Sequence, residues 1–175
     1  MQANIPTRGS VVAAVLFLTS TLAIAANADE LARPEGDIIL TVSGNIAHTN
    51  GDGIAEFDME MLEEIGATSF DTATIWTDGV QTFTGVEMRT LLDYLGAEGS
   101  TVRATAINDY AVDIPNEEIE EGAELVAYAR NGEPMSVRDK GPLWVVYPFD
   151  SSPALQTEVK YSRSIWQLDR IEVLD

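Results

Sequence analysis

The chain has 175 residues and a formal net charge of −19, from 29 acids against 10 bases, with one histidine and no cysteine. So acidic a surface argues against nucleic acid and against charge-driven binding to anionic membrane. Without thiols, cysteine nucleophiles, disulfides and His/Cys metal clusters are excluded, and packing alone must hold the fold.

Residues 1–28 read as a secretory signal: Arg8 is the only charge, an apolar stretch runs from Val11 to Ala26, and Ala26-Asn27-Ala28 fits small-x-small cleavage. An uncleaved anchor is the competing reading, but the apolar part is short for a bilayer span and is interrupted by Thr19, Ser20 and Thr21. The expected location is therefore periplasmic or secreted, with no stable membrane insertion after cleavage. Residues 29–36, with Pro34, read as a flexible lead-in, and residues 37–175 as one domain.

Within that domain the pattern is mostly strand. Ile38 to Val42 is β-branched, Gly51-Asp52-Gly53 marks a turn, and Ile54 to Phe57 reads as a returning strand. Asp58 is placed to cap a helix from Met59 to Ile65 that stops at Gly66. Phe70 to Trp76 alternates as a strand before an Asp78-Gly79 turn. Thr84-Gly85-Val86-Glu87 has the form of a capping box, opening a helix whose stripe is Val86, Leu91, Leu92 and Leu95, ended by Gly96. Strands follow at Val102 to Ile107 and Tyr110 to Ile114, joined at Asn108-Asp109, then a short acidic helix from Pro115 to Gly122. Leu125 to Arg130 is a strand entering an Asn131-Gly132 hairpin turn; Leu143 to Tyr147 and Ile165 to Leu174 are the last two strands. The expected class is α+β, a single mixed, strand-rich domain with short helices.

Few residues carry specific chemistry. His48 lies in a polar turn region without a nucleophile elbow, as an exposed loop histidine would. Paired carboxylates of the glycosidase kind are uninformative among 29 acids. Asn50-Gly51-Asp52-Gly53 resembles the middle of a calcium loop, but the loop register puts His48 and Met59 where acids belong, so a hairpin turn is the better reading. Most of the bases cluster late, at Arg130, Arg138, Lys140, Lys160, Arg163 and Arg170. They either form a patch for a small anionic ligand or pair with the abundant acids. Arg138 to Pro142 has the form of a basic loop at a cleft rim, and Trp144, Tyr147 and Trp166 read as core or cleft wall.

Four segments in order carry a resemblance. Phe83-Thr84-Gly85-Val86-Glu87-Met88-Arg89-Thr90-Leu91-Leu92 resembles the aromatic-x-Gly-Val segment of the sulfite-oxidase-type molybdopterin-binding domain. Leu125 to Met135, with Asn131-Gly132-Glu133-Pro134, is similar to that family's Asn-Gly-x-Pro stretch. Gly141-Pro142-Leu143-Trp144-Val145-Val146-Tyr147-Pro148 resembles a further strand of it, and Ile165 to Val173 its closing strand. The resemblance implies that fold, a molybdopterin cofactor and a cleft among the loops. With the polar strand connection and the basic loops, it nominates Asn108, Asp109, Tyr110, Arg138, Lys140, Gly141, Arg163, Ser164 and Trp166 as ligand-binding residues. It also implies a cysteine ligand to molybdenum on the strand upstream of Phe83. Here that stretch is Phe70 to Trp76, Ala73 stands nearest the ligand position, and the chain has no cysteine.

The expected function is therefore an exported, non-catalytic binding or accessory module, with no bound cofactor or catalytic residue and with a small anionic ligand or an extracytoplasmic protein as partner. The rival is a molybdopterin-dependent oxidoreductase or subunit whose metal is held by the pterin dithiolene alone. A hydrolase using acidic residues is a third reading that no motif supports.

Overall fold

Leu40 and Val42 are fully buried while Thr41 between them is not, the period-two pattern of a strand with one face in the core. The structure, a computed structural model, describes Met1 and residues 31–175, so the rest of the expected signal and the first two lead-in residues lie outside the described residues. The chain runs through β1 (Leu40–Gly44), β2 (Ala55–Phe57), α1 (Met59–Ile65), β3 (Thr68–Ala73), β4 (Val80–Glu87) and α2 (Met88–Tyr94). It continues through β5 (Thr101–Ala106), β6 (Ala111–Pro115), β7 (Leu125–Arg130), β8 (Glu133–Pro134), β9 (Leu143–Val146), α3 (Glu158–Arg163) and β10 (Trp166–Leu174).

All the strands join one sheet, in the order β2-β1-β10-β9-β7-β4-β3, with β5 paired to β10, β6 to β5 and β8 to β7. Only β1 and β10 run parallel; every other pairing is antiparallel. Helices α1 and α2 pack on β4 and on each other. Leu62, Met88, Leu91, Leu92 and Leu95 thereby share one core with Val86, Val126, Val145 and Ile171. The α+β, strand-rich single domain is the architecture found. No helix among the described residues is long and apolar enough to cross a membrane.

Several local signals hold. Asp58 caps α1, its Oδ1 accepting from the Met61 N–H at 3.0 Å. Asn131 and Gly132 both take positive φ, 55° and 81°, as a two-residue hairpin turn requires. Others fail for physical reasons. Thr84 to Glu87 is no capping box: these residues finish β4, and the helix begins at Met88 without a side-chain cap. Pairing on both sides, to β3 and β7, outweighs the local preference. The Thr84 hydroxyl bonds to the Ser69 hydroxyl at 2.8 Å, and the Glu87 carboxylate accepts from Thr68 Oγ1 and from the Gly122 N–H.

The strand expected to reach Trp76 ends at Ala73, where the Thr74 hydroxyl captures the Trp76 N–H and turns the chain. The acidic helix reduces to one 3-10 turn, Asn116–Glu118. Helix α3 was not among the expected elements. The lead-in, expected to be loose, is tied down over residues 31–36. Leu31 N–H donates to Thr49 O at 3.0 Å, Asn50 Nδ2 to Ala32 O at 2.7 Å, and the Glu35 and Gly36 N–H groups to Asp58 Oδ2, both at 2.8 Å.

Candidate functional site

Four segments meet at a cleft of about 440 Å³, lined by Trp76, Ala106, Asn108, Tyr110, Glu158, Tyr161, Ser162, Ser164, Ile165 and Trp166. Each is delivered by a local device. In the β5–β6 turn Asp109 adopts φ 65°, and Asn108 Oδ1 accepts from the Tyr110 N–H at 3.2 Å, leaving Tyr110 53% exposed. Thr157 caps α3 by accepting from the Lys160 N–H, which sets Glu158 and Tyr161 on the cleft. At the start of β10 the register shifts between Trp166 and Leu168, and Gln167 takes φ 55°. This irregularity lets Leu168 stay buried while Trp166 is 37% exposed.

Aromatic rings dominate the walls. Trp76 meets Trp166 at 5.4 Å between centroids and 72°, and Tyr161 at 5.9 Å and 90°. Behind them stand Trp144, 5.9 Å from Trp76, and Phe149, 4.9 Å from Tyr161. The Trp76 contacts are edge-to-face and the Phe149–Tyr161 pair is tilted at 36°, and together they fix the rings relative to one another. Ser164 is a structural wall: its hydroxyl donates to Val145 O at 2.7 Å and accepts from Trp144 Nε1 at 3.2 Å.

The nominated residues divide in two. Asn108, Tyr110, Ser164 and Trp166 line this cleft, whereas Asp109, Arg138, Lys140, Gly141 and Arg163 do not. Asp109 turns away to Arg170 Nη2 at 2.8 Å. Arg163 reaches Glu118 at 2.6 Å, where Lys160 joins it at 3.5 Å, and the Arg163 hydrogen bond holds the Glu118 pKa down. The Arg138–Pro142 loop lies one step from the cleft: Gln167 donates to Lys140 O at 2.9 Å and to Val137 O at 2.8 Å. Lys140 Nζ sits 5.5 Å from the Trp166 centroid and 5.7 Å from that of Trp144. Arg138 is exposed, and Gly141 is packed so closely that a Cβ there would strike the Met135 carbonyl.

Sequence reasoning missed Trp76, Glu158 and Tyr161. Thr157-Glu158 was a usable helix-start signal for the last two; nothing local marked Trp76. His48 is elsewhere, half-buried with Nδ1–H donating to Tyr94 O at 2.7 Å.

The position nearest the expected metal ligand is also defined. The Ala73 N–H donates to Asp150 Oδ2 at 2.6 Å, and Thr72 Oγ1 accepts from the Asp150 N–H at 3.1 Å. The Thr74 hydroxyl is engaged by Thr77 at 2.9 Å.

A family model described as the oxidoreductase molybdopterin binding domain matches residues 58–170. The chain belongs to this family. Among solved structures it is similar to the sulfane dehydrogenase SoxCD from Paracoccus pantotrophus, at 18% identity and a TM-score of 0.58. The match covers 78% of this chain and 38% of that one, so the likeness is one of fold to part of a longer protein. No curated protein matches the chain.

The chain lacks the protein thiolate that the resemblance implies as a ligand to the family's metal. A molybdenum centre asks for a soft ligand, and the sequence has no cysteine. At Ala73, nearest by spacing to the expected ligand position, a methyl side chain lies beside a carboxylate already bonded to the backbone. No group of three His, Cys, Asp or Glu suited to a metal occurs among the described residues. Glu158 is the one charged side chain in the cleft lining, and its carboxylate would repel the phosphate of a pterin placed there.

Proposed function

We propose that this chain is an exported, non-catalytic binding or accessory module that keeps the family's fold and uses its cleft to hold a small ligand. The observation that carries this reading is the absence of any thiol. Ala73 stands nearest by spacing to the expected ligand position, and its N–H is taken by Asp150. The open, aromatic cleft beside Trp76 supplies a binding surface whose lining holds no evident nucleophile–base pair. Export rests on residues 1–28, and sequencing the extracytoplasmic protein should give Asp29 as its first residue. A full-length membrane-embedded form as the main species would overturn that part.

The second reading, an oxidoreductase holding metal through the pterin alone, follows from the family itself. Producing the chain in a host that makes the molybdenum cofactor separates the two. The expected result is folded protein without stoichiometric molybdenum and without sulfite- or sulfoxide-dependent electron transfer to a dye. About one molybdenum per chain with turnover would replace the binding-module reading. An extracytoplasmic protein partner is part of the accessory reading.

A further inference from the structure

Three of the late bases are committed elsewhere, while Lys140 lies against the Trp144 and Trp166 rings and Arg138 is exposed outside the cleft lining. Lys160 and Arg163 turn to Glu118, and Arg170 turns to Asp109 and Asp169. What faces the cleft is the reverse chemistry: four aromatic rings, from Trp76, Tyr110, Tyr161 and Trp166, and a single charge, the exposed carboxylate of Glu158.

We propose that the cleft recognises a small organic cation of the quaternary-ammonium or methylated-amine class, held against the Trp76, Tyr161 and Trp166 rings with Glu158 as its counter-charge. This rests on the reading of the cleft as the ligand site. An aromatic face attracts a cation through its quadrupole, and a methylated ammonium adds apolar surface that the same rings bury. Trp166 and Tyr161 pack edge-to-face on Trp76, at 72° and 90°, so a cation would rest against the ring surfaces that these contacts leave open to the cleft, not between the rings. The molecule already uses this kind of contact: Lys140 places its ammonium 5.5 Å from the Trp166 centroid, from outside the cleft lining, and Lys160 places its own 5.1 Å from that of Tyr147. A net charge of −19 raises the local concentration of cations and lowers that of anions, in line with Glu158. The volume of about 440 Å³ falls within the usual size of small-molecule sites.

The test is titration of the exported protein with choline and with tetramethylammonium, followed by tryptophan fluorescence and calorimetry. Neutral 3,3-dimethylbutanol, isosteric with choline, and a phosphate-bearing pterin serve as comparisons. Both cations should bind saturably. Glu158→Gln, a change at an exposed side chain, should weaken them about tenfold and leave the alcohol unaffected; Trp166→Leu should weaken them at least as much. Equal binding of alcohol and choline, indifference of choline to Glu158→Gln, or no saturable response to either cation would overturn the proposal. If the alcohol or the pterin saturates the cleft in a Trp166-dependent manner and choline does not, the cation class fails while the binding-module reading stands. Molybdenum-loaded, active protein makes that reading fail instead.

Discussion

Glu124 is 1% exposed, and neither of its carboxylate oxygens finds a hydrogen-bond partner among the described residues. Burial pushes its pKa up to about 7, against the pull of the Lys160 charge. The buried Tyr147 hydroxyl is also without a partner, and its pKa is raised by burial and then by Glu124. Because the folded state holds the Glu124 proton more tightly than the unfolded chain, this group favours folding fully below the ordinary glutamate value of 4.5. That contribution is lost as pH climbs from there to about 7. The shift corresponds to about 3 kcal/mol at most. Urea midpoints should therefore fall for the wild type between pH 5 and pH 8, and Glu124→Gln should remove most of that fall. Parallel pH profiles for the two proteins would show that Glu124 is not the group responsible. None of this was legible in sequence, since one glutamate among 29 acids carries no mark of burial; in the fold it immediately precedes β7, its carbonyl accepting from the Met88 N–H.

At the scale of elements, the sequence was read best where a signal is local and worst where a neighbouring strand decides. Asp58 and the Asn131-Gly132 turn belong to the first kind. Thr84 to Glu87 belongs to the second, since a helix-start pattern was drawn into β4 by partners on both sides. Helix α3, with six residues, is too short to show an apolar stripe, so Glu158 and Tyr161 went unseen; Asn108 and Tyr110, beside a clear turn, did not. Gly85 explains why β4 and β7 approach as they do. An added Cβ there would run into the Val126 carbonyl oxygen and lie 2.6 Å from Ala127 Cα, at the point where the pairing register shifts. Gly85→Ala should cost about 3 kcal/mol, because backbone and not a flexible side chain must yield. Denaturant unfolding measures it directly. A loss under about 1 kcal/mol would mean that the bulge adjusts freely.

The whole molecule balances one apolar core against an excess of negative charge. Its acids outnumber its bases by 29 to 10, and several of the bases serve ion pairs: Arg89 with Asp93, Arg103 with Asp113, Lys160 and Arg163 with Glu118, and Arg170 with Asp109 and Asp169. Most carboxylates therefore face water among like charges, and compaction brings them closer together than the unfolded chain does. Added salt weakens both the few attractions and the many repulsions, with a screening length of about 10 Å at 0.1 M. The pairs are mostly surface contacts of small individual worth, while the repulsion grows with the whole charge. Repulsion should win. Raising sodium chloride from about 10 mM to about 300 mM at pH 8 should raise the melting temperature by a few degrees, equivalent to about 1 kcal/mol for a domain of this size. At pH 5 the same salt step should do less, because Glu124 is then largely protonated and other carboxylates begin to lose charge. A melting temperature that falls with salt at pH 8 would instead make the ion pairs around Glu118 and Arg170 the dominant electrostatic contribution to the fold. Choline chloride separates this general effect from the specific one. At equal ionic strength it should stabilise beyond sodium chloride by the linkage of a bound ligand, and Glu158→Gln should abolish that excess while leaving the sodium response in place.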